Sequence, residues 1–160
     1  MDQIWAPWRL AYVTKESPPK VGDDCFICRG LADADDRRNL IVERTPRGVI
    51  LLNKFPYNNG HLLVAPRAHK GRLDELSADE LLDLQQSLAR MIATLDRIIK
   101  PDGYNVGLNL GKVAGAGLPG HLHWHVVPRW NGDTNFMPVL SDVKVIVQSL
   151  DALYDLLLAG

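Results

Sequence analysis

Apolar and polar positions along the chain follow two rhythms. Period-two alternation and short apolar runs predict strands over residues 38–44 and 48–53, joined by a turn at Thr45-Pro46-Arg47-Gly48, and over 61–66 and 104–110. From Ser77 the spacing lengthens to that of a helix. Leu81, Leu84, Leu88, Ile92, Leu95 and Ile99 form one stripe, Ser77 and Glu80 make a capping box, and Pro101-Asp102-Gly103 ends the segment. A second amphipathic helix is predicted over 142–158, from Val143, Val145, Ile146, Leu150, Leu153 and Leu157. Residues 54–60, rich in Pro and Asn, read as a loop, and residues 1–24 read as an irregular arm carrying Pro7, Pro18, Pro19, Trp5 and Trp8. With a fifth strand at 121–127, the order strand–strand–strand, helix, strand–strand, helix implies an α+β domain spanning 1–160, built on a mainly antiparallel sheet.

The fifth strand holds the strongest signal. In Gly120-His121-Leu122-His123-Trp124-His125-Val126-Val127-Pro128-Arg129, three of the chain's five histidines alternate with apolar residues. On a strand that spacing puts all three imidazoles on one face, neighbours roughly 7 Å apart, with an apolar face opposite. On a helix the middle histidine would point away from the other two. Leu122, Trp124, Val126 and Val127 favour the strand, and Pro128 is expected to end it. Three imidazoles cannot serve as core filler without three separate hydrogen-bond partners. Imidazole acts as nucleophile, general base or metal ligand near neutral pH, so three in a row can divide those tasks.

Composition narrows the setting. The net charge of −1 leaves no global basic field for duplex nucleic acid or an anionic membrane, while small phosphorylated ligands need only local donors. No apolar run reaches the roughly 18 residues of a membrane span, and Met1-Asp2-Gln3-Ile4-Trp5 does not open a signal peptide. A cytoplasmic protein is expected. In a reducing compartment the two cysteines, Cys25 and Cys28, would not form a structural disulfide.

Four further groups surround the triple histidine in sequence. Asn105, Gly107 and Asn109 alternate on one strand face, suited to hydroxyl or phosphate recognition. The segment from Gly111 to Gly120 carries Gly111, Gly115, Gly117 and Gly120 with Lys112, so its backbone amides can approach an anion closely, although it matches no P-loop. Cys25-Phe26-Ile27-Cys28 is half of a zinc site; with no third cysteine its partners would have to be histidines, the alternatives being a redox pair or two inert thiols. His61 and His69, taken alone, read as ordinary surface or core histidines.

Together these residues resemble the histidine triad (HIT) superfamily of nucleotide hydrolases and transferases, whose pattern His-φ-His-φ-His-φ-φ, with φ apolar, is matched by His121 to Val127. Asn53 stands eight residues before His61 in Asn-x-x-Pro-x-x-x-Gly-His-Leu-Leu-Val, as in the Fhit-like branch, and Gly103–Gly111 with Trp130–Phe136 is similar to bacterial members that cleave diadenosine tetraphosphate (Ap4A). The resemblance implies a HIT-like fold: a five-stranded sheet, one long central helix and a C-terminal helix. It implies cleavage of dinucleoside polyphosphates with water or phosphate as acceptor. His123 would form a nucleotidyl-histidine intermediate, His125 would contact the phosphates and assist the leaving group, and His61 would support the triad. Asn53 would hold the ribose hydroxyls, and Asn109, Gly111, Lys112, Gly115 and Gly117 would meet phosphates. Some members bind structural zinc, and the matching ligands here are Cys25, Cys28, His69 and His121. A homodimer through the long helix and adjacent strand is implied too. A Hint-type nucleoside phosphoramidase and a low-turnover nucleotide sensor are the competing functions.

Overall fold

The computed structural model describes residues 25–133 and 146–160. The predicted arm over 1–24 lies outside them, as do Val143 and Val145 of the predicted C-terminal helix. The elements run α1 (Phe26–Ala32), β1 (Ile41–Arg44), β2 (Gly48–Leu52), β3 (Leu62–Pro66), α2 (Ala78–Ile98), β4 (Gly103–Leu108), β5 (Trp124–Arg129) and α3 (Leu150–Ala159), with short 3-10 turns at Leu73–Glu75 and Lys112–Ala114. The strands form one sheet in the order β1-β2-β3-β5-β4, every pairing antiparallel. The α+β architecture with a five-stranded antiparallel sheet, a long central helix and a C-terminal helix is as the sequence implies.

Alternation along β2 and β3 sends side chains to two covered faces, so both strands are buried throughout. On one face Ile50, Leu52, Leu62 and Val64 join Leu122, Trp124 and Val126 against Leu84, Leu88, Met91 and Leu95 of α2 and Leu153, Tyr154 and Leu157 of α3. On the other, Val49, Leu51, Leu63 and Ala65 pack with Cys25 and Ile27 at the start of α1. The Ser77 hydroxyl accepts the Glu80 N–H and the Glu80 carboxylate accepts the Ser77 N–H, so the predicted capping box starts α2.

Several boundaries differ from expectation, four of them by more than one residue or in their cause. The first strand begins at Ile41, because residues 36–40 close a turn in which the Ile41 N–H reaches the Asp36 carbonyl. β4 ends at Leu108, before Asn109. α3 starts only at Leu150, capped by the Ser149 hydroxyl, which leaves Ile146 outside the helix. Pro128 does not end the fifth strand: it pairs with Tyr104 in β4, and Arg129 with Gly103. The Pro128 carbonyl points away from β4, where Asn58 Nδ2 donates to it at 3.0 Å. In an antiparallel strand the nitrogen points to the same side as the carbonyl, so the missing N–H takes nothing from the β4 ladder.

Candidate active site

His125 lies in β5 opposite Leu63 of β3 and Gly107 of β4. It therefore shares the face of the Leu63–Ile27 cluster, while Leu122, Trp124 and Val126 fill the helix-covered core. His121 and His123 precede the first ladder residue of β5, Trp124, so the triad sits on the approach to the strand as well as on the strand itself. Among the described residues, a side chain at Gly107, the β4 partner of His125, would meet nothing within 4 Å.

Backbone groups, whose donor or acceptor character is fixed, decide which ring nitrogen carries the proton. His123 Nδ1 lies 2.8 Å from the His121 carbonyl, so Nδ1 carries the hydrogen and Nε2 keeps the lone pair. His121 Nε2 lies 2.8 Å from the Pro66 carbonyl and donates to it, which leaves the Nδ1 lone pair facing the Cys25 and Cys28 sulfurs at 3.2 and 3.5 Å. The Tyr57 N–H donates to His61 Nδ1 at 3.0 Å, so the His61 hydrogen is on Nε2 and is given to His125 Nδ1 at 2.9 Å. His125 must then carry its hydrogen on Nε2, a buried atom with no hydrogen-bond partner among the described residues. Burial, then the neighbouring His123, pushes His125 down to about 4, so the ring is neutral at physiological pH.

Asn53 Nδ2 sits 3.2 and 3.4 Å from the two ring nitrogens of His61, nearly equidistant, so it lies over the ring face. Its Oδ1 accepts the Phe55 N–H at 2.9 Å. The glycine loop leaves β4 through Gly111 (φ +80) and Gly115 (φ +92), backbone conformations that residues with a Cβ rarely adopt. The Gly115 N–H is spent on the Lys112 carbonyl and the Ala114 and Ala116 N–H groups on the Gly111 carbonyl, so the loop offers fewer amides than its glycine count suggests. Asn109 Nδ2 lies 3.8 Å from where a Gly115 Cβ would be, against the same loop. Of the polar face expected on β4, Asn105 is turned to structure: its Oδ1 accepts from Arg129 at 2.7 Å.

The second half of the site is the cluster of Cys25, Cys28, His69 and His121, whose ligand atoms all lie within 4.8 Å of one another. Cys25 caps α1, its sulfur accepting the Cys28 N–H at 3.4 Å, and Cys28 Sγ lies 3.3 Å from His69 Nδ1. Two thiols and two imidazoles, with the His121 ring already held by the Pro66 carbonyl, match the donor set and the support that zinc takes in closed tetrahedral sites. Burial and the adjacent Cys25 push the Cys28 thiol up to about 11 when no cation is present. A divalent ion reverses that preference by coordinating the thiolate.

Residues 36–132 match the family model described as the HIT domain. The chain belongs to the HIT family. It is an enzyme of that family, and its relatives include an AP-4-A phosphorylase of Mycobacterium tuberculosis (strain ATCC 25618 / H37Rv), 36% identical over 154 residues that cover 94% of this chain and 79% of the relative. The asymmetrical bis(5'-nucleosyl)-tetraphosphatase of Schizosaccharomyces pombe is 32% identical over 93 residues, 58% of this chain and 50% of that protein. The solved structure of a zinc-bound HIT family protein from Mycobacterium smegmatis aligns with a TM-score of 0.67 at 23% identity, covering 85% of this chain and 91% of that one. A histidine triad nucleotide-binding protein from Sulfolobus tokodaii strain7 aligns with a TM-score of 0.67 at 24% identity, covering 84% and 90%. At those identities the likeness to the two structures is one of fold.

The sequence did not point to Tyr57, whose backbone N–H and ring both touch the histidines, nor to Pro66, whose carbonyl orients His121. The Tyr57 contact depends on loop conformation, but its aromatic type directly before Asn-Asn-Gly-His is a visible signal. Among the described residues no helix is long and apolar enough to cross a membrane.

Proposed function

We propose that this HIT enzyme cleaves dinucleoside polyphosphates of the Ap4A type by nucleotidyl transfer through His123. One observation carries the reading. Two adjacent imidazoles, ring centroids 5.1 Å apart, are prepared oppositely: His123 keeps a lone pair on Nε2, while His125 holds an Nε2–H that has no partner among the described residues. His123 Nε2 attacks the α-phosphorus, a P–N bond forms, and the bond from phosphorus to the bridging oxygen breaks. The leaving phosphate chain takes the electron pair, and the His125 N–H hydrogen-bonds to the oxygens that gain charge. Water or inorganic phosphate then attacks the same phosphorus: a P–O bond forms, the P–N bond breaks, the lone pair returns to His123, and a proton carried by attacking water passes to solvent. Asn53 binds the ribose hydroxyls. Asn109, Gly111, Lys112 and Gly117 receive the phosphate chain, with Gly115 turning the loop and His61 holding His125.

Cys25, Cys28, His69 and His121 are assigned to one structural zinc ion. With four protein ligands it would supply folding energy and a fixed His121, with no open position for Lewis-acid chemistry. The reading includes a cytoplasmic homodimer formed through α2 and the edge strand β4, with nucleotides as its ligands and no nucleic-acid or membrane partner. The phosphorylase relative, which aligns with 94% of this chain, favours inorganic phosphate as the acceptor. The same nucleophile would open a nucleoside phosphoramidate, and an adenosine 5'-monophosphoramidase of Schizosaccharomyces pombe is 30% identical over 90 residues.

Incubation with Ap4A, with and without phosphate, tests the reading. ADP plus ATP marks phosphorolysis and AMP plus ATP asymmetric hydrolysis. Cleavage of an AMP phosphoramidate alone selects the phosphoramidase. Nucleotide binding without turnover of either substrate selects the sensor.

A further inference from the structure

The loop between β2 and β3 carries a residue that neither the triad nor the metal cluster accounts for. Tyr57 is half exposed, yet its ring lies against both histidines of the His61–His125 pair. The ring centroids are 4.6 Å from His61 at 39° and 5.6 Å from His125 at 22°, the latter a stacked arrangement. Its backbone N–H supplies the hydrogen bond that sets the His61 tautomer. The loop is pinned on either side. The Phe55 N–H donates to Asn53 Oδ1, and the Asn58 side chain donates to the Pro128 carbonyl and to Asp133. The ring is thereby held in place over the pair by its own loop.

We propose that Tyr57 is a positioning residue for phosphate-chain cleavage: its N–H and its ring together hold the His61–His125 pair so that His125 Nε2–H faces the phosphates. This rests on the reading of His123 and His125 given above. The ring shields the His61–His125 hydrogen bond from water, which would otherwise compete for both nitrogens. Lying against His125, it is part of the burial that holds that ring neutral. A proton can add only at Nδ1, the atom that accepts from His61, and accepting it would break the chain running from the Tyr57 N–H through His61. Among the described residues, His61 and His123 are the titratable rings that face His125, with Tyr57 across the stack; its partners on the flanking strands, Leu63 and Gly107, do not titrate.

The test compares Tyr57→Phe and Tyr57→Ala in the full chain. Both keep the backbone N–H, and a half-exposed ring can be removed without emptying the core. Histidine NMR titration and Ap4A turnover against pH are the two readouts. With Phe, both match the unsubstituted protein. With Ala, the His125 midpoint rises from about 4 towards the ordinary 6.5, and kcat falls on the order of tenfold with KM nearly unchanged. An unchanged His125 midpoint in the Ala variant, or a rise in KM alone, overturns the proposal. If the unsubstituted protein turns over no nucleotide, the reading of the site fails. The titration needs no turnover, and it still decides whether the ring holds the pair.

Discussion

The main-chain carbonyl of His121 accepts the Nδ1–H of His123 at 2.8 Å, while the ring of the same His121 reaches the Cys25 sulfur at 3.2 Å. One residue therefore joins the Cys25–Cys28–His69 cluster by its side chain and the proposed nucleophile His123 by its backbone. Whatever fixes the His121 ring also fixes the acceptor that sets the His123 tautomer.

Metal removal should therefore register at a distance. Elemental analysis of the purified protein is expected to find one zinc per chain, and chelation to lower Tm by several degrees, because an ion that binds only the folded state stabilises it. Cys28→Ser should lose the metal and lower kcat more than it raises KM. A Cys28→Ser protein with unchanged Tm and metal content would remove the cluster from the account.

His123→Asn should abolish turnover by at least about a thousandfold while leaving nucleotide affinity nearly unchanged, since it deletes the attacking nitrogen and keeps most of the side chain's volume. Kinetics together with calorimetric titration of a nucleotide separate the two effects. Persistent turnover would mean that another group attacks phosphorus.

Stability should depend on acid in a defined direction. Burial, then His123, holds His125 down to about 4 in the fold, below its ordinary 6.5 in an unfolded chain. Between those values the unfolded state binds the extra proton. The stability from keeping the ring neutral is complete above about 6.5 and is lost as pH falls towards 4. Burial lowers His121 as well and acts in the same sense. The comparison that isolates His125 is denaturation of the unsubstituted protein against His125→Asn at several pH values. The variant should show a shallower slope in that window, by up to one proton.

The triad was legible because period-two alternation is a local property: His121, His123 and His125 could be placed opposite Leu122, Trp124 and Val126 without knowing what lay on either side. The long helix announced itself through Ser77, Glu80 and six apolar positions. Helix α1 did not, because seven residues are too few for a stripe and its cap is a cysteine sulfur, outside the usual capping set. Pro128 misled for a similar reason: whether a proline ends a strand depends on which side of it has a neighbour, and that is set by where β3 stops. The tautomers of the four histidines rest on carbonyls and N–H groups of Pro66, His121 and Tyr57, which no residue-type pattern encodes.

Gly60, next to His61, should tolerate no side chain. Its φ is +76°, and a Cβ there would lie 2.7 Å from Ile99 and 2.9 Å from Pro128. Gly60→Ala is expected to cost about 1–3 kcal/mol, through backbone strain and overpacking, and to lower turnover by moving His61. Chemical denaturation and Ap4A kinetics on the same preparation test both effects, and an alanine variant of full stability would contradict the packing described here.

Arg44 ties the cysteine-bearing helix α1 to β1 of the sheet. Its guanidinium donates to the carbonyls of Gly30, Leu31 and Asp33 and to the Asp36 carboxylate, at 2.7 to 3.0 Å, closing the C-terminal end of α1. The other end of that seven-residue helix carries Cys25 and Cys28. Arg44→Met keeps much of the length and removes every donor, leaving carbonyls at the helix end unpaired. It should lower stability by about 2–3 kcal/mol. Because α1 presents both thiols, the same variant should also bind zinc more weakly, although Arg44 touches neither sulfur. Arg44→Lys can restore the charge but not the fork of donors, and should recover only part of the loss. A chelator competition on the three proteins, ranked against their unfolding midpoints, distinguishes this coupling from general destabilisation. If zinc affinity is unchanged in Arg44→Met while its midpoint falls, α1 is held in place by the metal cluster and not by Arg44.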